Sequence, residues 1–230
     1  MKTSPKIFGA SVVISVVCNI QAHAATLAYW NFNSLSIAAP SAPGSGGVPT
    51  TIAPNSSTVG GSLALTPYGG TVGDFGGSTL NTTGGDPTGA SLSLISSGVT
   101  AGPFPGNGTY IEIATLNFTG LSNIGITYAS QRTNTGFNSN TWSFSTDGTT
   151  FNSVAPVNPP TSYGLITIDL SSFVALNNAP SVTFRYTVSG ATSNSGNTRI
   201  DNLQIVDAIP EPSSSLLGLA AGLSLLGRRR

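Results

Sequence analysis

The feature that most constrains the fold is the alternation of apolar and polar residues in short segments along the middle of the chain. Trp142 and Phe144 alternate with two serines, and the turn pair Asp147-Gly148 follows directly. The same period of two recurs in other segments, at residues 28–32, 111–113, 124–128, 166–170, 182–188 and 203–205. Because successive side chains of a strand point to opposite faces, this pattern predicts antiparallel sheets with one face in a core.

Nothing between Ala25 and Ile209 has the apolar spacing of an amphipathic helix, and the many glycines, prolines and asparagines suit turns. An open sheet of so many strands would expose one face and both edges. We therefore predict an all-β fold, an antiparallel two-sheet β-sandwich of roughly eight to ten strands. We expect the first strand, at 29–32, to pair with the last, at 199–206. The segments 36–62 and 69–89 are predicted to be long surface loops.

Residues 1–24 have the three parts of a secretory signal peptide. Lys2 and Lys6 form the charged region, residues 7–17 form the apolar region, and Ala22 and Ala24 are the small residues that a signal peptidase accepts. The apolar run is too short for a membrane span, which needs about 20 residues. We therefore predict cleavage after Ala24 and export of the remaining chain.

Residues 208–230 combine three features in a fixed order: the tripeptide Pro210-Glu211-Pro212, an apolar stretch at 216–227, and the arginines Arg228, Arg229 and Arg230. The apolar stretch predicts a short transmembrane helix whose arginines stay in the cytoplasm. This trio resembles the PEP-CTERM sorting signal of Gram-negative bacteria. The resemblance implies transient anchoring in the membrane. It also implies cleavage near the tripeptide by an exosortase, a membrane-embedded cysteine protease, and release to the cell surface or the extracellular matrix.

The part between these segments, residues 25–207, is predicted to form one sandwich domain, because a chain of 230 residues has little room for a second one. It opens with Tyr-Trp-Asn-Phe at 29–32 and closes with Arg-Ile-Asp-Asn-Leu at 199–203. In this it resembles a loose class of exported bacterial proteins that carry a sorting tail. The resemblance implies a jelly-roll-like domain related in architecture to carbohydrate-binding modules, and it implies no activity.

The inventory of reactive side chains argues against an enzyme. Cleavage after Ala24 would remove Cys18 and His23, the only cysteine and the only histidine. The exported part would then lack a Ser-His-Asp or Cys-His pair, zinc ligands of either type, and any disulfide. Glu112 is the only glutamate in residues 25–207. Since a glycosidase needs two facing carboxylates, we predict a protein without catalytic residues.

The charges between Ala25 and Ile209 are three arginines against seven acidic residues, a net charge of −4, with no lysine. Such a body has no face that could neutralise phosphates, so we predict no binding to nucleic acid. Arg185 and Arg199 lie on predicted strands, and we expect each to pair with Asp169 or Asp201.

The oxygen-bearing side chains near the first and last strands are candidate ligands for a calcium ion. If these strands pair, Asn31 and Asn33 lie beside Asp201 and Asn202, and together they could contribute ligands to a weak calcium site. The alternative is that these residues form local hydrogen bonds to the backbone. No other cofactor is expected.

Aromatic residues are the candidates for stacking on sugars. Trp30, Trp142, Tyr128 and Tyr186 lie in phase with apolar neighbours, which indicates the core. Tyr68 and Tyr163 lie in turn-rich segments and are the candidate ligand-binding residues.

Three classes of function follow. The first is a non-catalytic protein of the cell surface or matrix that contacts extracellular polysaccharide. The second is a structural or adhesive protein that binds other proteins, and the third is a polysaccharide-active enzyme that uses carboxylates. An exposed aromatic platform would favour the first class, and a second carboxylate facing Glu112 would favour the third.

Overall fold

The structure is a computed structural model that describes residues 24–98 and 104–207. Residues 1–23 of the predicted signal peptide and the predicted sorting tail at 208–230 lie outside the described residues, so their cleavage, membrane insertion and sorting stay predictions. Within the described ranges, no helix is long and apolar enough to cross a membrane.

The fold of the described residues is all-β, as predicted: thirteen strands form two antiparallel sheets that pack as a sandwich. A 3₁₀ turn at Val174–Leu176 is the only helical element in the part that the structure describes. The strands are β1 Ala25–Trp30, β2 Thr51–Ile52, β3 Ser56–Ser57, β4 Gly60–Ala64, β5 Thr71–Gly76, β6 Ala90–Ile95, β7 Thr109–Leu116, β8 Ile124–Arg132, β9 Asn140–Ser145, β10 Asn152–Val157, β11 Gly164–Asp169, β12 Val182–Val188 and β13 Asn197–Asp207.

One sheet has seven strands and the other has six, and the chain crosses between them at almost every connection. The seven-strand sheet has the order β11-β8-β13-β1-β3, with β6 and β5 attached beside β13. The six-strand sheet has the order β10-β9-β12-β7-β4-β2. Only β5–β6 and β9–β10 are consecutive strands that pair with each other among the described residues. Such frequent crossing is typical of jelly-roll-like sandwiches.

The predicted pairing of the first and last strands is confirmed. β1 runs antiparallel to β13, with Ala25 opposite Asp207 and Trp30 opposite Leu203. β13 pairs with β8 along its other side, and its first half, from Asn197 to Ile200, pairs with β6. β13 is therefore a central strand, and the junction between its two halves lies where β6 ends and β1 takes over.

The two segments predicted to be long loops contain short strands, which corrects that prediction. The segment 36–62 includes β2, β3 and the start of β4, and the segment 69–89 includes all of β5. Gly73 and Gly76 dilute the apolar pattern of β5. Backbone pairing with β6 needs no side chains, however, and Val72 is the one apolar residue of β5 that is fully buried.

The core between the sheets is aromatic. The rings of Tyr186 and Tyr128 lie 4.9 and 5.9 Å from the ring of Trp142, and Trp142 donates a hydrogen bond of 3.2 Å to the Tyr128 hydroxyl. Asn140 donates to the Tyr186 hydroxyl at 2.8 Å, so the buried polar atoms of this cluster have partners. All four aromatic residues predicted to be in the core, including Trp30, are buried.

Candidate functional site

Tyr68 does not form a platform, so its prediction as a ligand-binding residue is wrong. Its side chain is buried, its ring packs edge-on against Phe137, and its hydroxyl donates to the carbonyl of Ile95 at 2.7 Å. The reason is a turn in which the Tyr68 N–H bonds to the Leu65 carbonyl and directs the chain back under β6. A turn-rich sequence therefore does not indicate exposure here.

Tyr163, the second predicted candidate, lies on the outer face of the seven-strand sheet. The ring is half-buried, and the hydroxyl donates to the carbonyl of Gly76 at 2.9 Å, far away in sequence. Burial raises the pKa of the Tyr163 hydroxyl, Ser91 and Arg199 nearby partly oppose the rise, and the charge of Asp201 adds to it. The ring is therefore held in one place but keeps part of its surface in contact with solvent.

Tyr163 ends the β10–β11 loop (residues 158–163), which is fixed to the end of β8. The Arg132 N–H donates to the Pro160 carbonyl at 2.8 Å, and its Nε donates to the Pro159 carbonyl at 2.9 Å. Gln131 donates from its side chain to the Thr161 carbonyl at 3.0 Å. Because the two consecutive prolines also restrict the backbone, the loop is ordered before any ligand arrives.

Phe75 and Arg199 lie on the same outer face and were not predicted as site residues. Phe75 is 36% exposed, and the guanidinium carbon of Arg199 lies 4.7 Å from the centre of its ring, a cation–π contact. Phe75 lies in a glycine-rich segment whose sequence has no clear strand pattern, so its position on the sheet was not predicted. Arg199 did carry a signal, since it precedes the core residue Ile200 and so has to point outward from the strand.

A depression of about 360 Å³ adjoins these residues and is lined by Gln131, Arg132, Thr133, Asn134, Thr161 and Arg199. We call the depression together with Phe75, Tyr163 and Arg199 the Tyr163 face. It combines aromatic surface with side-chain amides, hydroxyls and two guanidinium groups. This is the composition of a site for a polar ligand with flat apolar faces.

Arg185 pairs with Glu112, which corrects the expected partners Asp169 and Asp201. β12 lies between β7 and β9 in the six-strand sheet, away from β11 and β13, and the Arg185–Glu112 distance is 2.8 Å. The guanidinium also lies 3.5 Å from the ring centre of Phe151. Glu112 is the only carboxylate on the strands of this sheet. Its contact is therefore with a cation and not with a second acid.

Asp201 lies at the junction of β13 where β6 gives way to β1, and the register with β8 shifts there. Its carboxylate is buried and accepts hydrogen bonds from the backbone N–H of Ser78, at 2.6 Å, and of Asn202, at 2.9 Å. Burial raises the pKa of Asp201 to about 7, against the effect of these two N–H donors.

Asn202 is the anchor of the β5–β6 loop (residues 77–89). Its amide nitrogen donates to the carbonyls of Ser78 and Leu80 at 2.8 and 2.9 Å, and its oxygen accepts from the Tyr29 hydroxyl at 2.8 Å. The residue has a φ of 49°, a left-handed conformation that asparagine tolerates better than most residues. Its identity is thus explained by loop attachment.

Asn31 and Asn33 attach the far end of the same loop. Asn31 donates to the Asp86 carboxylate at 2.9 Å, and its oxygen accepts from the Asn33 N–H at 3.1 Å. Asn33 donates to the Pro87 carbonyl at 3.3 Å, while its own Oδ1 is buried and unpaired. Strand pairing thus brings the four predicted calcium ligands to one loop, where hydrogen bonds engage them. The described ranges contain no cluster of three acidic, histidine or cysteine ligands, and calcium binding stays a prediction.

No protein-family model and no curated protein matches the chain. Solved structures with similarity include the CBM22-1 xylan-binding domain from Paenibacillus barcinonensis Xyn10C, with 8% identity, a TM-score of 0.41, and coverage of 82% of this chain and 99% of that one. The K1 cleaved adhesin domain of Lys-gingipain from Porphyromonas gingivalis has 11% identity, a TM-score of 0.40, and coverage of 77% and 95%. At these values, neither similarity carries an argument about a ligand or an activity.

Proposed function

We propose that this protein is an exported, non-catalytic protein of the cell surface or matrix, and that its sandwich binds extracellular polysaccharide at the Tyr163 face. The observation that carries the proposal is the Tyr163 ring, which is fixed at its hydroxyl by Gly76 and yet partly open to solvent. Sugar rings present flat C–H faces that pack on aromatic rings. A ring ordered in advance loses little entropy on binding.

The surroundings of Tyr163 supply the polar half of such a site. Gln131 and Asn134 contribute amides, Thr133 and Thr161 contribute hydroxyls, and the arginines contribute N–H donors around the depression. Sugar hydroxyls need donors and acceptors at defined positions, and a few convergent polar groups beside apolar surface can provide them. The absence of histidine and cysteine from residues 25–207 supports a binding role over a catalytic one.

The proposed delivery route rests on the sequence. The signal segment ending at Ala24 supports export, and the order of tripeptide, apolar stretch and arginines supports sorting by an exosortase. A polysaccharide-binding sandwich released by this route would reach the matrix in which its ligand is located.

A second candidate function, adhesion to another protein, is favoured by the groove between β10 and β11. Within the described residues each of these strands is an edge strand, β10 of one sheet and β11 of the other, paired on one side only, and the groove between them has a volume of about 520 Å³. Leu165 on β11 is 55% exposed. An open strand edge beside an apolar side chain suits the addition of a strand from a partner.

Binding of the purified protein to a panel of immobilised polysaccharides tests the proposal. Tyr163→Ala should weaken binding about tenfold, the loss that removal of roughly 1.4 kcal/mol of stacking produces. Tyr163→Phe keeps the ring and should retain most of the affinity. Tyr110→Ala removes a half-buried tyrosine from the opposite sheet and serves as the matched control.

The outcomes separate the two candidate functions. Equal affinities of Tyr163→Ala and the unchanged protein, or no polysaccharide binding at all, would refute the polysaccharide proposal. The adhesive function instead predicts binding to a protein partner that Leu165→Lys abolishes and that Tyr163→Ala leaves unchanged.

A further inference from the structure

We infer that the ligand of the Tyr163 face is an acidic polysaccharide, one whose sugar residues carry carboxylate groups, and that Arg132 and Arg199 recognise those groups. The inference rests on the proposed function of this face and specifies its ligand. The observation behind it is the uneven distribution of positive charge over the sandwich.

Residues 25–207 contain three cationic side chains and seven acidic ones. Two of the three cations, Arg132 and Arg199, line the same depression. The third, Arg185, lies on the other sheet and forms the only ion pair found within the described ranges, with Glu112. The depression is therefore a local concentration of uncompensated positive charge on an acidic body.

Arg132 is held by neutral acceptors. Its Nε donates to the Asn158 side chain and the Pro159 carbonyl, and its Nη1 donates to the carbonyls of Thr133 and Asn134. These bonds fix the guanidinium plane without neutralising its charge. Nη2 makes no hydrogen bond to the part of the chain that the structure describes, so it can donate to a ligand in the depression.

Arg199 is held by Phe75, whose ring lies under the guanidinium group at 4.7 Å. The acid nearest in sequence is Asp201, but that carboxylate is buried under the β5–β6 loop and bonded to the N–H groups of Ser78 and Asn202. Among the described residues, Asp201 forms no ion pair with Arg199. The cation–π contact orients Arg199 and leaves its N–H edge without an anion.

A carboxylate is the ligand group that this arrangement fits. Guanidinium groups present a planar fork of donors that matches a carboxylate, and bonds between charged partners are stronger than bonds to hydroxyls. A neutral sugar would cover the two cations without neutralising them. General attraction to a polyanion cannot explain such binding, because the body carries a net charge of −4 and repels polyanions.

The experiment compares one polymer in two forms. The full chain is tested against polygalacturonate and against the same polymer after chemical reduction of its carboxyl groups to alcohols. We expect binding to the acidic form to exceed binding to the reduced form at least tenfold, and to weaken as sodium chloride is raised from 0.05 to 0.5 M, since salt screens exposed charges (a Debye length of about 10 Å at 0.1 M).

Three charge variants localise the effect. Arg199→Gln and Arg132→Gln should each weaken binding to polygalacturonate about tenfold and should weaken binding to the reduced polymer much less. Arg185→Gln makes the same change in net charge on the opposite sheet and should leave both affinities unchanged. Because Arg132 also holds the β10–β11 loop, its variant is first checked for an unchanged melting temperature, and Arg199→Gln carries the test if Arg132→Gln unfolds.

Equal affinity for the two polymer forms, or an equal loss with Arg185→Gln and Arg199→Gln, would overturn the inference. The proposed function would survive that result if Tyr163→Ala still weakened binding to the neutral polymer. Failure to bind either polymer form or any polysaccharide of the panel would refute the proposed function and the inference together.

Discussion

Replacing Asn202 with alanine should destabilise the sandwich by about 4 kcal/mol. The side chain makes three hydrogen bonds, to Ser78, Tyr29 and Leu80, of which the first two are buried, and each contributes roughly 1 kcal/mol net. The residue also has a φ of 49°, and an alanine in the left-handed region costs roughly 1 kcal/mol. The sum is large because loss of this side chain removes the donor to two loop carbonyls and the acceptor of the Tyr29 hydroxyl.

The free-energy cost of the left-handed backbone can be measured separately from the cost of the lost hydrogen bonds. Asn202→Gly loses the same three bonds but tolerates the positive φ, so it should be less destabilised than Asn202→Ala by about 1 kcal/mol. Asn178→Ala is the matched control. Asn178 also has a left-handed φ, of 58°, but is exposed and bonds with its side chain only to the Gly120 N–H.

Urea unfolding measured by tryptophan fluorescence gives the free energies, since Trp30 and Trp142 are buried and report on loss of the core. We expect the order Asn202→Ala, Asn202→Gly, Asn178→Ala, from most to least destabilised. If Asn202→Ala lost no more stability than Asn178→Ala, the β5–β6 loop would not be held by this residue and the reasoning would be refuted.

Three further predictions concern protons, calcium and sorting. Burial raises the pKa of Asp201 to about 7, so the folded state keeps a proton that the unfolded state releases near pH 4. The free energy of unfolding, measured in urea, should therefore fall as the pH rises from about 4 to about 7. Asp201→Asn should remove the part of this fall that Asp201 causes. If Asn31, Asn33, Asp201 and Asn202 hold calcium, the ion at 100 times its dissociation constant should stabilise the protein by about 2.7 kcal/mol; equal melting temperatures with calcium and with chelator would exclude it. Alanines in place of the tripeptide at 210–212 should leave export intact and trap the protein at the membrane; normal release on cell fractionation would contradict the sorting proposal.

The strands with a strict period of two could be predicted from the sequence because burial of one face imposes that period. In β12, Val182, Phe184, Tyr186 and Val188 are all fully buried, and the polar residues between them are not. The hairpin at Asp147-Gly148 could also be predicted, because it depends on residues that are close together in the sequence. Asp147 accepts the N–H groups of Thr149 and Thr150 at 2.8 and 2.7 Å, which holds the pKa of its carboxyl below its usual range.

The candidate site could be predicted only in part, because it depends on contacts between residues far apart in sequence. Tyr163 was predicted, but its partner Gly76 belongs to β5, a strand that the glycine-rich sequence concealed. Which acid pairs with Arg185 depends on the order of the strands in the sheet, and a local sequence pattern does not determine that order. Tyr68 was predicted to be exposed for the same reason, because its local sequence does not show that the turn at Leu65–Tyr68 buries its side chain.

Salt should weaken the proposed ligand contact of the Tyr163 face but leave the stability of its scaffold unchanged. Hydrogen bonds to uncharged carbonyl groups hold the β10–β11 loop to Arg132 and Gln131, and the buried Asn202 side chain holds the β5–β6 loop by donating to carbonyls in the same way. The one ion pair within the described ranges lies on the other sheet and is partly exposed, so its contribution is small. Raising the salt concentration therefore leaves the geometry of the face intact while it screens the two arginines. A loss of acidic-polysaccharide binding in salt at an unchanged melting temperature would locate the effect in the ligand contact, whereas a parallel fall in melting temperature would assign it to the scaffold.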